Sequence, residues 1–478
     1  MTGYLKDKAV KGMIWTSIER FGSQIIQFVI GIAIARILAP SDYGIIGLLS
    51  IFLALSNTFI DSGFGSALIQ NKQRTEADYS TAFYFNAMVG LLLYCILFLS
   101  APAIASFYDL PELCSITRVY TLILVFNCLT IVPITKLTID LNFKAQSIIS
   151  ITTQLATGIV GLILAYNGLG VWALVYQSIF SCLLRLIVIF LYTKWIPKTG
   201  FSINSFKNLF SYGSKLLCSS IINTIYSNIN SLIIGKMYAV SDVGYYNKGR
   251  QFPLLVANTL QNVVMKVAFP IMSEVQDDTI KLRNAYTKFL KMPMFVLLPA
   301  LAILIVVAEP MILILLGEKW LPCVPYLQVL SLGTMFEPLT HINLNILYVK
   351  GRTDLVLKLE LIKKPIAFAI IFISIQYGII WLCLGQVLYS IIAYIFNCYY
   401  TQKYIQLGIL KQIKHITPMF INTVLASVIA HYFIQLFSLP IYQFICGALC
   451  LGTLYLSLNY LTKEDCLKEY INIIRRKG

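Results

Sequence analysis

Arg20 stands inside an apolar tract, and polar residues recur around it at helical spacing: Thr16, Ser23, Gln24, Gln27 and Gly31, with Glu19 beside them. Steps of three and four residues return to one side of a helix, so these groups form one continuous polar face. Four other apolar tracts repeat the pattern. One carries Ser50, Asn57, Asp61 and Gly65; a second Lys215, Ser219, Asn223, Tyr226 and Asn230; a third Asn247, Gln251, Asn258, Asn262 and Lys266; a fourth Thr334, Glu337, His341, Asn345 and Tyr348. Guanidinium and ammonium groups hold oxyanions by charge-assisted hydrogen bonds, and Arg can do so in bidentate fashion. Glu19, Asp61 and Glu337 neutralise part of this positive charge. The chemistry on offer is binding. No Walker sequence, GxSxG elbow or HExxH pair is present, and His341, His415 and His431 fall on different tracts or joints, so neither a catalytic nor a metal site is expected.

The elements that carry these faces must cross a membrane. Of the 478 residues, 58% are hydrophobic and 12% charged, against roughly 25% charged in soluble domains. Apolar tracts approaching the ~20 residues needed to span hydrocarbon follow one another with short polar joints. We expect spans at 11–37, 44–70, 79–106, 113–136, 143–166, 169–193, 207–236, 243–273, 285–316, 322–349, 354–377, 378–403, 412–436 and 440–462. The fold class is therefore all-α, with about fourteen transmembrane helices packed as antiparallel neighbours. Lipid cannot satisfy the five polar faces, which must look at other helices or a water-filled cavity. Pro293, Pro299 and Pro310 in the ninth span and Pro338 in the tenth are places for a kink.

Cytoplasmic joints are enriched in Lys and Arg. With the N-terminus inside, those joints contain Lys72, Arg74, Lys136, Lys144, Lys194, Lys198, Lys281, Arg283, Lys350, Arg352, Lys403 and Lys411, and the Arg475-Arg476-Lys477 tail. The opposite joints are nearly bare, apart from Lys236, Lys248 and Arg250 after the seventh span. Both termini are expected in the cytoplasm, and Met1 to Lys11 runs into the first span without the features of a cleaved signal. At 1.5 Å per residue, Arg20, Asp61 and Lys215 lie ~12–14 Å deep and Lys266 ~10 Å. Cations on separate helices at that depth require a compensating anion, from the protein or from a ligand. Two readings stay open: Arg20 grips a ligand or pairs with Glu19 or Asp61, and Lys266 faces a cavity or snorkels to the surface. Arg118, Arg185, Lys363 and Lys364 are open between lumen and snorkelling in the same way. The net charge of +16 is not gathered into a basic domain, which argues against nucleic acid. The eleven cysteines lack paired CxxC spacing and read as small apolar side chains.

The chain echoes itself. Arg36 to Gly44, with Pro40-Ser41-Asp42-Tyr43-Gly44, is matched by Lys236 to Gly244, with Val240-Ser241-Asp242-Val243-Gly244, an offset of 200 residues between Asp42 and Asp242. Trp172 and Gln177 recur as Trp381 and Gln386, each pair just after a tight turn. Two echoes in one order argue for duplication: residues 1–200 form an N-terminal lobe of six spans, 201–408 a second lobe, and 409–478 an addition of two spans and a tail. Six is even, so both lobes enter the membrane in one direction, related by a pseudo-twofold along its normal, and substrate binds between them.

Arg36 to Ile45 and Val240 to Gly249 resemble the two signatures of the polysaccharide-transporter branch of the multidrug/oligosaccharidyl-lipid/polysaccharide exporter superfamily. The likeness runs over the whole chain, including the aromatic opening Gly12-Met13-Ile14-Trp15. It implies a two-lobe, V-shaped fold that flips polyprenyl-diphosphate-linked oligosaccharide by alternating access in O-antigen, capsule or exopolysaccharide synthesis. It implies a bacterial inner-membrane location, function as a monomer beside polysaccharide polymerases, and no cofactor apart from proton or sodium coupling. By position, Arg20, and less closely Lys215 and Lys266, would hold the diphosphate, with Gln24, Gln27, Asn57, Asn223, Asn258 and Asn262 lining the lumen. Glu19, Asp61, Glu337 and His341 are the candidates for ion coupling. A drug exporter of the same superfamily is the nearest rival, but it typically has twelve spans and needs acidic sites for cationic drugs. A membrane polymerase would be expected to show a large external loop, and every external joint here is short.

Overall fold

Where no water reaches the backbone, a helix satisfies its own N–H and C=O groups, and the chain obeys that rule throughout. The computed structural model describes residues 2–61 and 63–468, without the side chains of residues 2–11, 13, 212–216, 218, 219 and 263, and its regular elements are all helical. The expected first to sixth spans are α1 (Thr2–Ile37), α2 (Pro40–Asp61) with α3 (Phe64–Gln70), α4 (Glu76–Phe107), α5 (Glu112–Tyr120) with α6 (Leu122–Ile139), α7 (Phe143–Tyr166) and α8 (Val171–Thr193). The next six are α9 (Ile203–Met237), α10 (Val240–Glu274), α11 (Thr279–Val306) with α12 (Ala308–Leu315), α13 (Val324–Thr334) with α14 (Glu337–Val349), α15 (Thr353–Ser374) and α16 (Ile379–Ile405). The last two are α17 (Ile409–Ile434) and α18 (Pro440–Leu461). Eleven of these segments are long and apolar enough to cross a bilayer. The remaining three positions belong to α9, the broken α13–α14 pair and the lysine-bearing α15.

Several spans are interrupted rather than continuous. The second breaks after Asp61, where Gly63 takes a left-handed φ of 74° before α3. The ninth breaks at Val307 and the tenth between Thr334 and Glu337. Pro310 and Pro338 sit in the first turn of the helix that follows each break, where a missing N–H costs no internal hydrogen bond. Helix starts are fixed by side chains. Asn142 accepts from the Ala145 N–H and Ser202 from the Ser205 N–H, and Thr75 and Asp78 form a reciprocal capping box. Asp278 accepts from the backbone N–H groups of Ile280 and Lys281, both at 3.0 Å, and the Lys281 N–H leads in holding its carboxyl below the usual carboxylate range.

By packing, the chain forms two compact units, Met1–Gly244 and Tyr245–Gly478. In the first, α1 lies along α7, and α9 packs on α2 with the hydroxyls of Thr58 and Thr224 3.0 Å apart. The echoed motif shapes this unit in a reciprocal way. Asp42 accepts from the Ala39 N–H at 2.9 Å and Asp242 from the Ala239 N–H at 3.2 Å, so each aspartate folds back on the start of its own helix. Both glycines are contact points. A methyl added at Gly44 would overlap the Val240 carbonyl oxygen, and one at Gly244 the Pro40 carbonyl oxygen.

In the second unit a buried polar network joins α11, α14, α16 and α17. Gln412 is fully buried and pairs its amide reciprocally with Asn343, at 3.0 and 3.1 Å. Its oxygen also accepts from the hydroxyls of Tyr286 and Tyr394, and Thr401 donates to Asn343 at 2.6 Å. The Tyr455 hydroxyl ties α18 to the Phe295 carbonyl at 3.0 Å, and Lys291 pairs with Glu464 at 2.8 Å. These bonds dock the two added helices on α11, where each polar group has a partner instead of lipid.

Candidate functional site

On α1, successive residues turn by about 100° and divide the helix into three sides. Ile14, Ile18, Phe21, Ile25 and Val29 make an exposed apolar stripe suited to lipid. Trp15, Glu19, Gly22 and Ile30 turn to α7: Ser147 donates to the Trp15 carbonyl, Ser150 donates to Glu19 Oε1 at 2.7 Å, and Gly158 closes on Ile30. The third side holds the expected polar set. Arg20 and Gln27 are exposed, Ser23 and Gln24 half-buried, and Gly31 faces open space. Glu19 thus belongs to the α7 side, not to the stripe of Arg20. None of the ion pairs among the described residues joins Arg20 to an acid.

The other positions sort in the same way. In the first unit Asn57 is half-buried one residue before the Thr58–Thr224 contact, Asn223 is exposed on α9, and Asp61 is exposed at the broken end of α2. The Lys215 side chain lies outside those described. In the second unit Asn247, Gln251, Asn258, Asn262 and Lys266 share one side of α10, with Asn258 and Lys266 exposed and the Asn262 amide donating to the Asn258 carbonyl. Glu337 and His341 are half-buried at the start of α14. His341 also lines a narrow apolar cleft with Leu260, Met265, Phe289, Pro293 and Pro338. The expected polar residues thus fall on α1, α2 and α9 in the first unit and on α10 and α14 in the second.

The basic residues that ran against the charge pattern of the joints are each engaged. Lys236 pairs with Asp109 at 3.0 Å and lies 5.3 Å from the Phe107 ring, which puts the joints after the third and seventh spans at one end of the first unit. Lys248, 8% exposed, lies over the Trp320 ring. Tyr246 of the same signature is fully buried and bonds the Gln386 amide, which donates at 3.0 Å. Gln177 instead fills the groove at Gly161. The second signature is thus a packing device as much as a label of family.

Arg118, Lys363 and Lys364, left open by the sequence, have visible partners. Arg118 lies 4.7 Å from the Phe98 ring and donates to the Phe98 carbonyl. Lys363 neither snorkels nor faces a lumen: it is 2% exposed and bonds Glu360 at 2.7 Å and Asn397 at 3.2 Å. Lys364 pairs with the other oxygen of Glu360 at 3.4 Å. Sequence reasoning passed over Glu360, although a Glu three and four residues before two lysines is a readable pairing signal on a helix.

Exposure on a polar stripe and on an apolar stripe differ in what touches them, and thiol labelling distinguishes the two. In a background without native cysteines, a cysteine at Gln27, Asn223 or Asn262 is expected to react with a small charged thiol reagent in intact membranes. One at Ile25 or Val29, equally open in the structure, is expected to stay protected by lipid. Equal protection of all five positions would mean that the polar stripes are sealed contacts.

Comparison with known proteins agrees with this architecture. Residues 33–325 match the model of a family described as polysaccharide biosynthesis proteins. The chain is 28% identical to the teichuronic acid biosynthesis protein TuaB of Bacillus subtilis over 72% of each chain, and 22% identical to the succinoglycan biosynthesis transport protein ExoT of Rhizobium meliloti over 100% of this chain and 98% of that one. Among solved structures, the lipid II flippase MurJ in its inward closed conformation superposes with a TM-score of 0.76 at 15% identity, over 95% of this chain and 99% of that one. The fold is that of the two-lobe transporters. The matched segment contains both signatures and the polar residues of α2, α9 and α10, and the chain belongs to the polysaccharide biosynthesis protein family.

Proposed function

We propose that this multi-pass membrane protein is a flippase that moves polyprenyl-diphosphate-linked oligosaccharide repeat units from the cytoplasmic to the outer leaflet by alternating access, for O-antigen, capsule or exopolysaccharide synthesis. The observation that carries the reading is the polar stripe of α1, in which Arg20 and Gln27 are exposed on a membrane-spanning helix whose other two sides are already taken by lipid-suited residues and by α7. Such a stripe is stable only beside water or a polar cargo. A diphosphate entering hydrocarbon must exchange its water for charge-assisted hydrogen bonds, a role this reading assigns to Arg20, Lys215 and Lys266. Gln24, Gln27, Asn57, Asn223, Asn258 and Asn262 supply amides for sugar hydroxyls.

In this reading the protein makes and breaks no covalent bond. It acts as a monomer in a bacterial inner membrane with both termini in the cytoplasm, and hands its cargo to a polysaccharide polymerase. Proton or sodium coupling falls to Asp61, Glu337 and His341, with Glu19 held more tightly by Ser150. The test is reconstitution of the purified chain in vesicles with a fluorescent polyprenyl-diphosphate oligosaccharide. Protein-dependent loss of the inner-leaflet pool to an outside quencher is expected, and an unchanged distribution at full protein incorporation would rule the function out.

A further inference from the structure

Lys363 is held in the second unit as a dissolved cation would be. Its side chain is 2% exposed, and its ammonium lies 2.7 Å from Glu360 Oε1 and 3.2 Å from Asn397 Oδ1. A carboxylate and an amide carbonyl are oxygen ligands of the kind that hard cations take. The Asn397 amide nitrogen donates to the Thr340 carbonyl at 3.2 Å, which keeps the amide oxygen turned to the ammonium. Lys364 approaches the other carboxylate oxygen, Oε2. Glu360 is seven residues and Lys363 ten from the start of α15, or ~10 and ~15 Å along the helix, which is mid-membrane depth. A carboxylate at that depth requires a cation beside it. Three helices meet on this one ammonium: α15 through Glu360, α16 through Asn397, and α14 through the Thr340 carbonyl. One turn along α16 from Asn397, Thr401 joins the buried network of Asn343 and Gln412, so the lysine stands at the head of a polar chain that runs to α17.

We propose that Glu360 and Asn397 form a monovalent-cation site whose occupant is built into the chain, the Lys363 ammonium standing where a sodium ion would otherwise be needed. The inference goes beyond the flippase reading and does not depend on the cargo. A dissolved ion binds and leaves, and its departure can release the helices it joins. A tethered ammonium cannot leave, and its effective concentration at the site is fixed by the helix that carries it. The site therefore clamps α14, α15 and α16 without reference to the sodium concentration, and any coupling to an ion gradient is left to groups outside it.

The experiment uses the full chain in lipid nanodiscs and compares melting temperatures in sodium, methylammonium and choline chloride at one ionic strength, choline being too large for the pocket. The unaltered protein is expected to melt alike in sodium and choline. Lys363→Ala empties the pocket and strands the carboxylate, so it is expected to melt lower in choline. Sodium or methylammonium is expected to restore at least half of that loss, with saturation. In Lys363→Ala with Glu360→Gln, where no charge is left to serve, the response is expected to vanish. If Lys363→Ala is recovered folded only when sodium or methylammonium is present, the site is equally supported. A folded Lys363→Ala that melts alike in all three salts overturns it. So does a Lys363→Ala that folds in none of them while the double variant folds. Sodium-dependent stabilisation of the unaltered protein that Glu360→Gln abolishes also overturns it, because the site would then be taking a dissolved ion with the lysine in place.

Discussion

Replacing Arg20 with alanine is expected to cut export of the glycan about tenfold or more at unchanged protein level. The loss corresponds to one charge-assisted hydrogen bond to a buried ligand, about 1.5–3 kcal/mol. Arg20→Lys is expected to keep part of the activity, because the point charge remains while the bidentate grip is lost. The structure sharpens the competing explanation. If Arg20 served only to neutralise Glu19, removing both charges would restore export, since a stranded buried charge is the main cost of breaking such a pair. Glu19, however, already accepts from Ser150 on α7, on a different side of α1 from Arg20. The double change Arg20→Ala with Glu19→Gln is therefore expected to export no better than Arg20→Ala alone. Surface glycan measured at matched protein level decides, and full export by Arg20→Ala would end the case for this arginine as a ligand.

The second large effect belongs to the glycine pair. Gly44→Val and Gly244→Val are each expected to leave little folded protein, and Gly44→Ala to cost about 3 kcal/mol. The atoms in the way are the backbone carbonyl oxygens of Val240 and Pro40, which cannot rotate aside as a side-chain end could. The neighbouring Gly31 and Gly168 meet nothing within 4 Å and supply the control. Gly31→Ala, with no left-handed φ to strain, is expected to melt like the unaltered protein. Melting temperature and monodispersity in detergent measure the difference. An unaltered melting temperature in Gly44→Ala would mean that the two helix starts part easily.

The membrane made most of the fold readable. A chain that must bury its backbone polarity in helices and cover each with apolar residues announces its spans by length, and most expected bounds fall within a few residues of the helices, while α1 and α11 begin earlier than expected, at Thr2 and Thr279. The breaks were not readable. Nothing in Asp61-Ser62-Gly63 separates a mid-membrane interruption from an ordinary small-residue helix, and Pro338 suggested a kink where it instead opens a new helix. Helical spacing grouped Arg20 with Gln27 correctly, because angle around one helix follows from the sequence alone. It could not say that Glu19, one residue away, turns to Ser150, because that depends on which helix packs alongside. Lys363 shows the same limit. The sequence left it open between lumen and snorkelling, and its enclosure by Asn397 of α16 required the tertiary structure.

The contact at Gly44 and Gly244 is reciprocal. Position 40 of the first copy meets position 44 of the second, and position 44 of the first meets position 40 of the second, counting each copy from its own aspartate. That is the pattern of an isologous interface, in which one surface patch is matched to itself by a two-fold axis. Because each helix start leans on the other through backbone atoms, neither end can shift without moving its counterpart, and a defect in either copy of the motif is felt at both.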